Sequence, residues 1–387
     1  MSTTPALRFL ESEIRTLEEQ GLLRQHKPIP PGTLVMCSND YLGYARDPMP
    51  AAPADEHRSS GSGASRLVCG ETVEHARAEQ TLATWLDTES ALLFSSGYAA
   101  NVGTISALAR PGDVIVSDAL NHASIIDGCR LSGATVVVAP HADAEAVGRA
   151  LEGAAHARRR WVVTESYFSM DGDVPDLKRL RTLCDQHHAA LIVDEAHAVG
   201  TIGPQGRGFA ALRGVKPDVL VGTLGKSIGL QGAFVAGPRV LRTWLWNRAR
   251  SFVFSTGISP ALAGVITERV LRVAQDDEAR ERLEKIARTL RSELAVIVGS
   301  ALLPSHGPIL PCMVGAPDAA VRLSNRLRER GVLVQAIRPP TVPVGTSRLR
   351  ITAHARLSDQ DLDFFLAAFR DAWSDALLPK TQPTFAP

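Results

Sequence analysis

The sequence predicts an α/β protein: a large domain on a mostly parallel seven-stranded sheet, followed by a smaller α+β domain. Three observations predict it. Seven short runs between residues 91 and 236 are apolar throughout rather than alternating, as strands covered on both faces should be. Segments of helical composition separate most of these runs, the pattern of parallel strands joined by crossover helices. Beyond about residue 275 the text changes to long charged helices with fewer strands between them.

Taken in order, residues 6–25 read as a short amphipathic helix, with Leu7, Leu10, Ile14, Leu17 and Leu22 on roughly one face. Pro28, Pro30 and Pro31, and a second Pro-rich stretch at 48–53, are connectors. The seven strand runs are 91–94, 114–116, 135–139, 161–164, 191–193, 219–221 and 233–236. The last follows its predecessor after a short turn and is the one expected to be antiparallel. A charged helix at 278–298 precedes a strand near 309–314, a helix at 319–330, and strands at 332–336 and 348–352. Ser358, with Asp361 three residues on, has the spacing of a capping box and opens the last helix. The expected domains are 41–275 and 276–387, with residues 1–40 packing on the smaller one.

The bulk numbers exclude several classes. A chain of 387 residues, 45% hydrophobic, can remove roughly three quarters of its unfolded surface from water. Lys plus Arg (42) and Asp plus Glu (41) nearly cancel, so nothing demands nucleic acid, and Arg158-Arg159-Arg160 reads as a solvated loop. Cys37, Cys69, Cys129, Cys184 and Cys312 are odd in number and never in a C-x-x-C pair, which argues against a disulfide framework and against a structural metal. The first residues lack a signal-peptide pattern, and no uncharged apolar run approaches the roughly 20 residues of a membrane span. The expectation is a cytoplasmic protein with no membrane partner.

In an open parallel sheet ligands bind beyond the carboxyl ends of the strands. Most of the reactive residues fall there. Ser96-Gly97-Tyr98 follows the first strand and Asn121-His122 lies after the second. Ser166 to Asp171, with Ser169 among them, follows the fourth; Asp194-Glu195-Ala196-His197 ends the fifth, and Thr223-Leu224-Gly225-Lys226-Ser227 ends the sixth. Singly, each has a dull reading: His122 as a loop histidine, Asp194 as a helix cap, Lys226 as a solvated lysine. Five coincidences on one sheet edge make a site.

The residue types fit pyridoxal 5'-phosphate (PLP), which needs a lysine amine to hold it covalently, a carboxylate to keep its ring nitrogen protonated, and an anion cradle. Lys226 suits the first role and Asp194 the second. His197 is placed to reach the ring's phenolic oxygen, while Thr223 and the Gly97-Tyr98 turn suit the phosphate. Gly225, Ser227 and Gly229 are small enough to let the cofactor lie against the backbone. Rivals fare worse. Asp194 to His197 spells the DEAH of helicases, but a P-loop ending at Gly225-Lys226-Ser227 would need glycine where Leu220 stands. Gly61-Ser62-Gly63-Ala64-Ser65-Arg66 begins like a dinucleotide fingerprint but has Arg66 at the last glycine. A non-catalytic binding protein would not need Lys226, Asp194 and His122 together.

Thr223-Leu224-Gly225-Lys226-Ser227-Ile228-Gly229 resembles the lysine signature of the α-oxoamine synthases, fold-type I PLP enzymes that join an amino acid to an acyl thioester with loss of carbon dioxide. Ser38-Asn39-Asp40-Tyr41-Leu42-Gly43, Ser96-Gly97-Tyr98-Ala99-Ala100-Asn101, Asn121-His122-Ala123-Ser124 and Phe168-Ser169-Met170-Asp171-Gly172-Asp173 extend the resemblance over most of the chain. Ile337-Arg338-Pro339-Pro340-Thr341-Val342-Pro343, with Arg348-Leu349-Arg350, looks like the branch of the family in biotin synthesis. The resemblance implies L-alanine and a pimeloyl thioester, on coenzyme A or acyl carrier protein. It implies a homodimer in which Ser255-Thr256 reaches the neighbour's cofactor phosphate. By position, His122 stacks on the cofactor ring, Ser169 and His197 touch the cofactor, and Arg24, Asn39, Arg350 and Thr352 contact substrate. Two departures stand out: Ala198-Val199-Gly200 after the histidine, and a short Pro/Ala-rich segment between Tyr44 and Ser60.

Overall fold

The computed structural model describes residues 4–24, 28–48 and 59–377; the Pro-rich stretch expected at 48–53 lies, beyond Pro48, outside them. The chain divides into two compact units. The larger comprises Asn39–Lys285 and His354–Arg356, the smaller Met1–Ser38, Ile286–Ala353 and Leu357–Pro387. The division at 285/286 falls inside the helix Asp277–Val298, not ahead of it at 275. The return of 354–356 to the larger unit has a local cause: Ala355 N–H donates to Tyr41 O, and Arg356 pairs with Asp47.

The strands are β1 (Leu34–Val35), β2 (Ser90–Phe94), β3 (Val114–Asp118), β4 (Thr135–Ala139), β5 (Arg160–Glu165), β6 (Ala190–Asp194), β7 (Val219–Thr223), β8 (Ala233–Gly237), β9 (Ile309–Gly315), β10 (Val332–Leu333), β11 (Gln335–Ile337) and β12 (Ser347–Thr352). In the larger unit seven strands run in the order β2-β8-β7-β6-β5-β3-β4. The pairs from β7 through β4 are parallel; β8 is antiparallel to both neighbours, as its short connection to β7 requires. β7 and β8 are buried end to end, and β3, β5 and β6 are buried but for one terminal residue each. β4 departs from the expectation of two covered faces: it is an edge strand, only Ala139 is buried, and Val138 is 64% exposed.

The core forms where β-branched strand residues meet the helix Gly97–Leu108. Ile115, Val163, Ile192, Val221 and Val235 pack with Ala100, Ile105 and Ile125, and Phe94 meets Phe252 edge to face at 5.7 Å. Each large apolar side chain so buried contributes roughly 1.5–3 kcal/mol. The cluster fastens the helix whose first turn borders the candidate site.

In the smaller unit β11-β12-β9 form an antiparallel sheet, and β1 pairs in parallel with β10. The single strand expected at 332–336 is thus two short pieces with different partners. Ser358 and Asp361 close their capping box, Asp361 N–H on Ser358 Oγ at 3.1 Å and Ser358 N–H on Asp361 Oδ2 at 2.9 Å. The N-terminal helix, Phe9–Glu19, is shorter than expected at both ends: Pro5–Leu7 is a 3-10 turn, and Gly21 has φ +65°. Its apolar residues Leu10, Ile14 and Leu17, and Leu7 in the turn before it, stay exposed. All five cysteines are free. Among the described residues no helix is long and apolar enough to cross a membrane.

Candidate active site

Because β3, β5, β6 and β7 are parallel, their carboxyl ends share one edge. β2 joins them, since it opposes β8 and β8 opposes β7. Asp118, Glu165, Asp194 and Thr223 are the last residues of four of these strands. Ser96 caps the helix that follows β2, accepting the Ala99 N–H at 3.1 Å. The backbone N–H groups of Gly97 and Tyr98 open that helix, where the helix dipole favours an anion. The Tyr98 hydroxyl itself turns away to Asp127.

Asp194 is 6% exposed and accepts two N–H groups: Ala196 N on Oδ1 at 2.8 Å and Asn101 Nδ2 on Oδ2 at 2.6 Å. It caps no regular helix; residues 196–200 are turns. Beside it, Glu165 is its register partner across β5 and β6. Burial, followed by repulsion from Asp194, pushes Glu165 up to about 8, and its Oε1 accepts His122 N–H at 2.7 Å. His122 caps the helix Ala123–Ser132 with its own ring, Nδ1 lying 3.2 Å from Ser124 N and 2.7 Å from Ser124 Oγ. Desolvation pulls its pKa below the ordinary value; Asp194 opposes that and Lys226 reinforces it. His122, Asp194, Glu165 and Lys226 therefore share one electrostatic space.

Lys226 lies half-buried in the tight connection from β7 to β8. Thr223 Oγ1 donates to Gly232 O and accepts Gly225 N–H, both at 3.2 Å, and Gly229 N–H donates to Lys226 O at 2.8 Å. The three small neighbours serve different ends. Gly225 is exposed with nothing nearer than 3.5 Å to a Cβ there, which leaves the approach to Lys226 open. Ser227 is buried, and a Cβ on Gly229 (φ +71°) would come within 2.5 Å of Ala45 N. Gly229 therefore accommodates the chain's own backbone, not a cofactor.

His197 Nδ1 lies 2.7 Å from the Tyr41 hydroxyl, which is 3.3 Å from Asn39 Oδ1. Ser169 sits 9% exposed in the loop 168–173. That loop is braced by His141, a residue absent from the expected set. His141 Nδ1 lies 2.9 Å from Asp118 Oδ1 and Nε2 lies 2.8 Å from Asp173 Oδ2, with its ring edge-on to Phe168 at 4.4 Å. Asp118 also accepts the N–H groups of Leu120 and Ala142, shaping the chain that leads to His122. Burial opposes a charge on His141, but hydrogen bonds to Asp118 and Asp173 outweigh it and push the pKa up to about 10. A raised histidine pKa stabilises the fold fully below the unfolded value near 6.5, and the benefit fades as pH rises through 10. His141→Gln is expected to cost ~1–2 kcal/mol at pH 6, discounted because Asp173 is partly exposed, and progressively less toward pH 10. Thermal unfolding of both proteins across that range checks this; a gap that stays constant with pH would remove the charge from the account.

The Gly61 to Arg66 text has a structural use. Ser62 Oγ donates to Ile258 O, Gly257 N–H donates to Ala64 O, and Ser65 bridges Thr256. His75 Nε2 adds a bond to Ile258 O at 2.8 Å. Buried Arg66, paired with Glu71 and Glu79, anchors the segment beneath Trp246 and Phe252. Together these fix the backbone carrying Ser255-Thr256.

The remaining candidates belong to the smaller unit. Arg350 is buried in β12, paired across to Gln335 and Pro311. Thr352, at the strand's end, donates its hydroxyl to Ser38 O at 2.9 Å and its N–H to Met36 O at 2.8 Å. Arg24 lines a cavity of about 680 Å³ with Leu17, Leu22, Ile337, Arg338 and Thr341. Among the described residues no cluster of three or more His, Cys, Asp or Glu side chains is arranged to hold a metal.

Sequence reasoning passed over Asn101, Ser124, Glu165, Tyr41 and His141 as individuals. Two left a signal. Asn101 is the lone amide in a mostly apolar helix, and Glu165 is a carboxylate that ends a buried strand. The donor set fits PLP on the structure's own terms: a half-buried lysine, a buried carboxylate held by two N–H donors, and a helix amino end beside Thr223.

The comparisons agree with this chemistry. The Aminotransferase class I and II family model matches residues 31–369. An 8-amino-7-oxononanoate synthase of Anaeromyxobacter sp. (strain K) is 44% identical over 394 residues, covering 98% of each chain. One from Alkalilimnicola ehrlichii is 45% identical over 343 residues, covering 87% of each. Among solved structures, a serine palmitoyltransferase from S. paucimobilis holding PLP is 29% identical with a TM-score of 0.86, over 97% of this chain and 99% of that one. The chain belongs to the class I and II aminotransferase family, with 8-amino-7-oxononanoate synthases as relatives along its whole length.

Proposed function

We propose that the protein is a PLP-dependent acyltransferase that condenses L-alanine with a pimeloyl thioester to give 8-amino-7-oxononanoate, carbon dioxide and free thiol, in biotin biosynthesis. The observation that carries the chemistry is Asp194, buried and held by two N–H donors in one space with Lys226 and His122. The substrate pair rests on the 44% identity to synthases of that name, since a shared fold alone does not select a substrate.

PLP, when bound, supplies a ring that draws electrons away from the substrate's α-carbon. The chain supplies the rest. Lys226 would hold the cofactor and carry the α-proton. Asp194 would partner the ring nitrogen. His197, tied to Tyr41, would serve the phenolic oxygen together with Ser169. The first N–H groups of the helix Gly97–Leu108, with Thr223, would hold the phosphate. His122 would line the ring and offer a donor to the oxygen that becomes negative when the thioester is attacked. Arg350 takes the substrate carboxylate, its forked donors matching two oxygens; Arg24, Asn39 and Thr352 complete the substrate set. We place the enzyme in the cytoplasm as a homodimer, with Ser255-Thr256 reaching across to the neighbour's phosphate.

The test is a matrix of L-alanine, glycine and L-serine against pimeloyl, succinyl and acetyl thioesters, on coenzyme A and on acyl carrier protein. Alanine with pimeloyl should give kcat/KM well above every other pair. Preference for glycine with a short acyl group would move the chain to another α-oxoamine synthase, and no turnover of any pair would end the reading.

A further inference from the structure

Asn101 and Ser124 lie between two of the proposed functional groups. Asp194 Oδ2 can only accept, so the Asn101 side chain must present its amide nitrogen to it, at 2.6 Å. The same nitrogen lies 3.0 Å from Ser124 Oγ, which uses its second proton. The amide is therefore fixed, even at the expense of leaving Asn101 Oδ1 buried without a partner. Ser124, fully buried, accepts from Asn101, and its own proton has a near acceptor in His122 Nδ1 at 2.7 Å. The backbone N–H of Ser124 points at that nitrogen too, from 3.2 Å. A proton on Nδ1 would face this N–H donor to donor. Nδ1 therefore carries the lone pair, and the imidazole proton resides on Nε2.

We infer that Asn101 and Ser124 are positioning residues that join Asp194 to His122 in one hydrogen-bonded chain, locking His122 as the neutral Nε2–H tautomer while holding Asp194 by its Oδ2. The chain runs Asp194 Oδ2, Asn101 Nδ2, Ser124 Oγ, His122 Nδ1: Asn101 donates one proton to each side, and Ser124 directs its own to Nδ1. It gives His122 a donor on the ring edge away from Ser124, the polarity that a developing oxyanion needs. Loss of either link weakens the hold on the tautomer, leaving the Ser124 backbone N–H to oppose a proton on Nδ1 alone, and removes one of the two donors on Asp194 or the hydroxyl on His122.

The inference rests on the reading of Asp194 and His122 as groups that face the cofactor, yet its main test needs no cofactor. Nitrogen-15 histidine spectra of the cofactor-free full chain, with His122 assigned by its loss in His122→Gln, should show an unprotonated Nδ1 and a protonated Nε2. Ser124→Ala should shift the signals toward a mixture of tautomers, and Ser124→Thr, which keeps the hydroxyl, should restore them. With cofactor present, Asn101→Ala should lower kcat by about tenfold, one hydrogen bond's worth, with KM for alanine unchanged. A wild-type His122 that carries its proton on Nδ1, or samples both tautomers equally, overturns the inference whether or not any variant folds. Borohydride labelling of Lys226 judges the function separately, so a labelled enzyme with the wrong tautomer loses only this step.

Discussion

Lys226→Ala is expected to abolish both the visible band of the covalent lysine–cofactor imine and turnover, with activity falling on the order of 10⁴-fold or more, because one amine holds the cofactor and moves the α-proton. The fold should survive. Lys226 is only half-buried, and the connection around it is held by main-chain bonds from Gly229 to Lys226 O and from Leu224 to Gly232 O, which alanine keeps. Reducing the wild-type holoprotein with borohydride should leave a pyridoxyl group on the peptide containing residue 226, and the variant should take none. A variant that retains the absorption band and turns over alanine would strip Lys226 of its role.

Asp194→Asn is expected to bind PLP and yet exchange the α-proton of alanine several orders of magnitude more slowly, since a neutral amide no longer holds the ring nitrogen protonated. A second, structural cost follows from the geometry. Ala196 N–H and Asn101 Nδ2 both donate to the carboxylate, and an amide can accept only one of them well. The unsatisfied donor should cost about 1–3 kcal/mol, visible as a lower Tm. Deuterium exchange at the alanine α-carbon separates the two effects: it reports the chemistry, while unfolding reports the lost bond. Exchange at the wild-type rate would refute the assignment.

Much of this was legible in the residues because period and position carry it. Unbroken Val, Ile and Leu runs such as 219–221 mark buried strands, and reactive residues clustered after them mark an edge. What stayed hidden depends on contacts between distant parts of the chain. Nothing near residue 141 says that its histidine will lie between Asp118 and Asp173, 23 and 32 residues away. Edge position was equally invisible: 135–139 is as apolar as any central strand, yet it has one neighbour and stays largely in water. Small residues misled in a different way. Gly229 beside the lysine looked like room for a ligand, while its lack of a Cβ is used by the backbone of Tyr44 and Ala45.

The placement of β2 has a consequence for biogenesis. Its hydrogen-bonded neighbour is β8, and Ser90 reaches Gly237 across 147 positions of chain. While a ribosome is still emitting the intervening polypeptide, Leu92 and Phe94 have no sheet to join. The vitamin-binding pocket can therefore mature only late, after a slow long-range closure, and nascent chains released before that point should depend on chaperones.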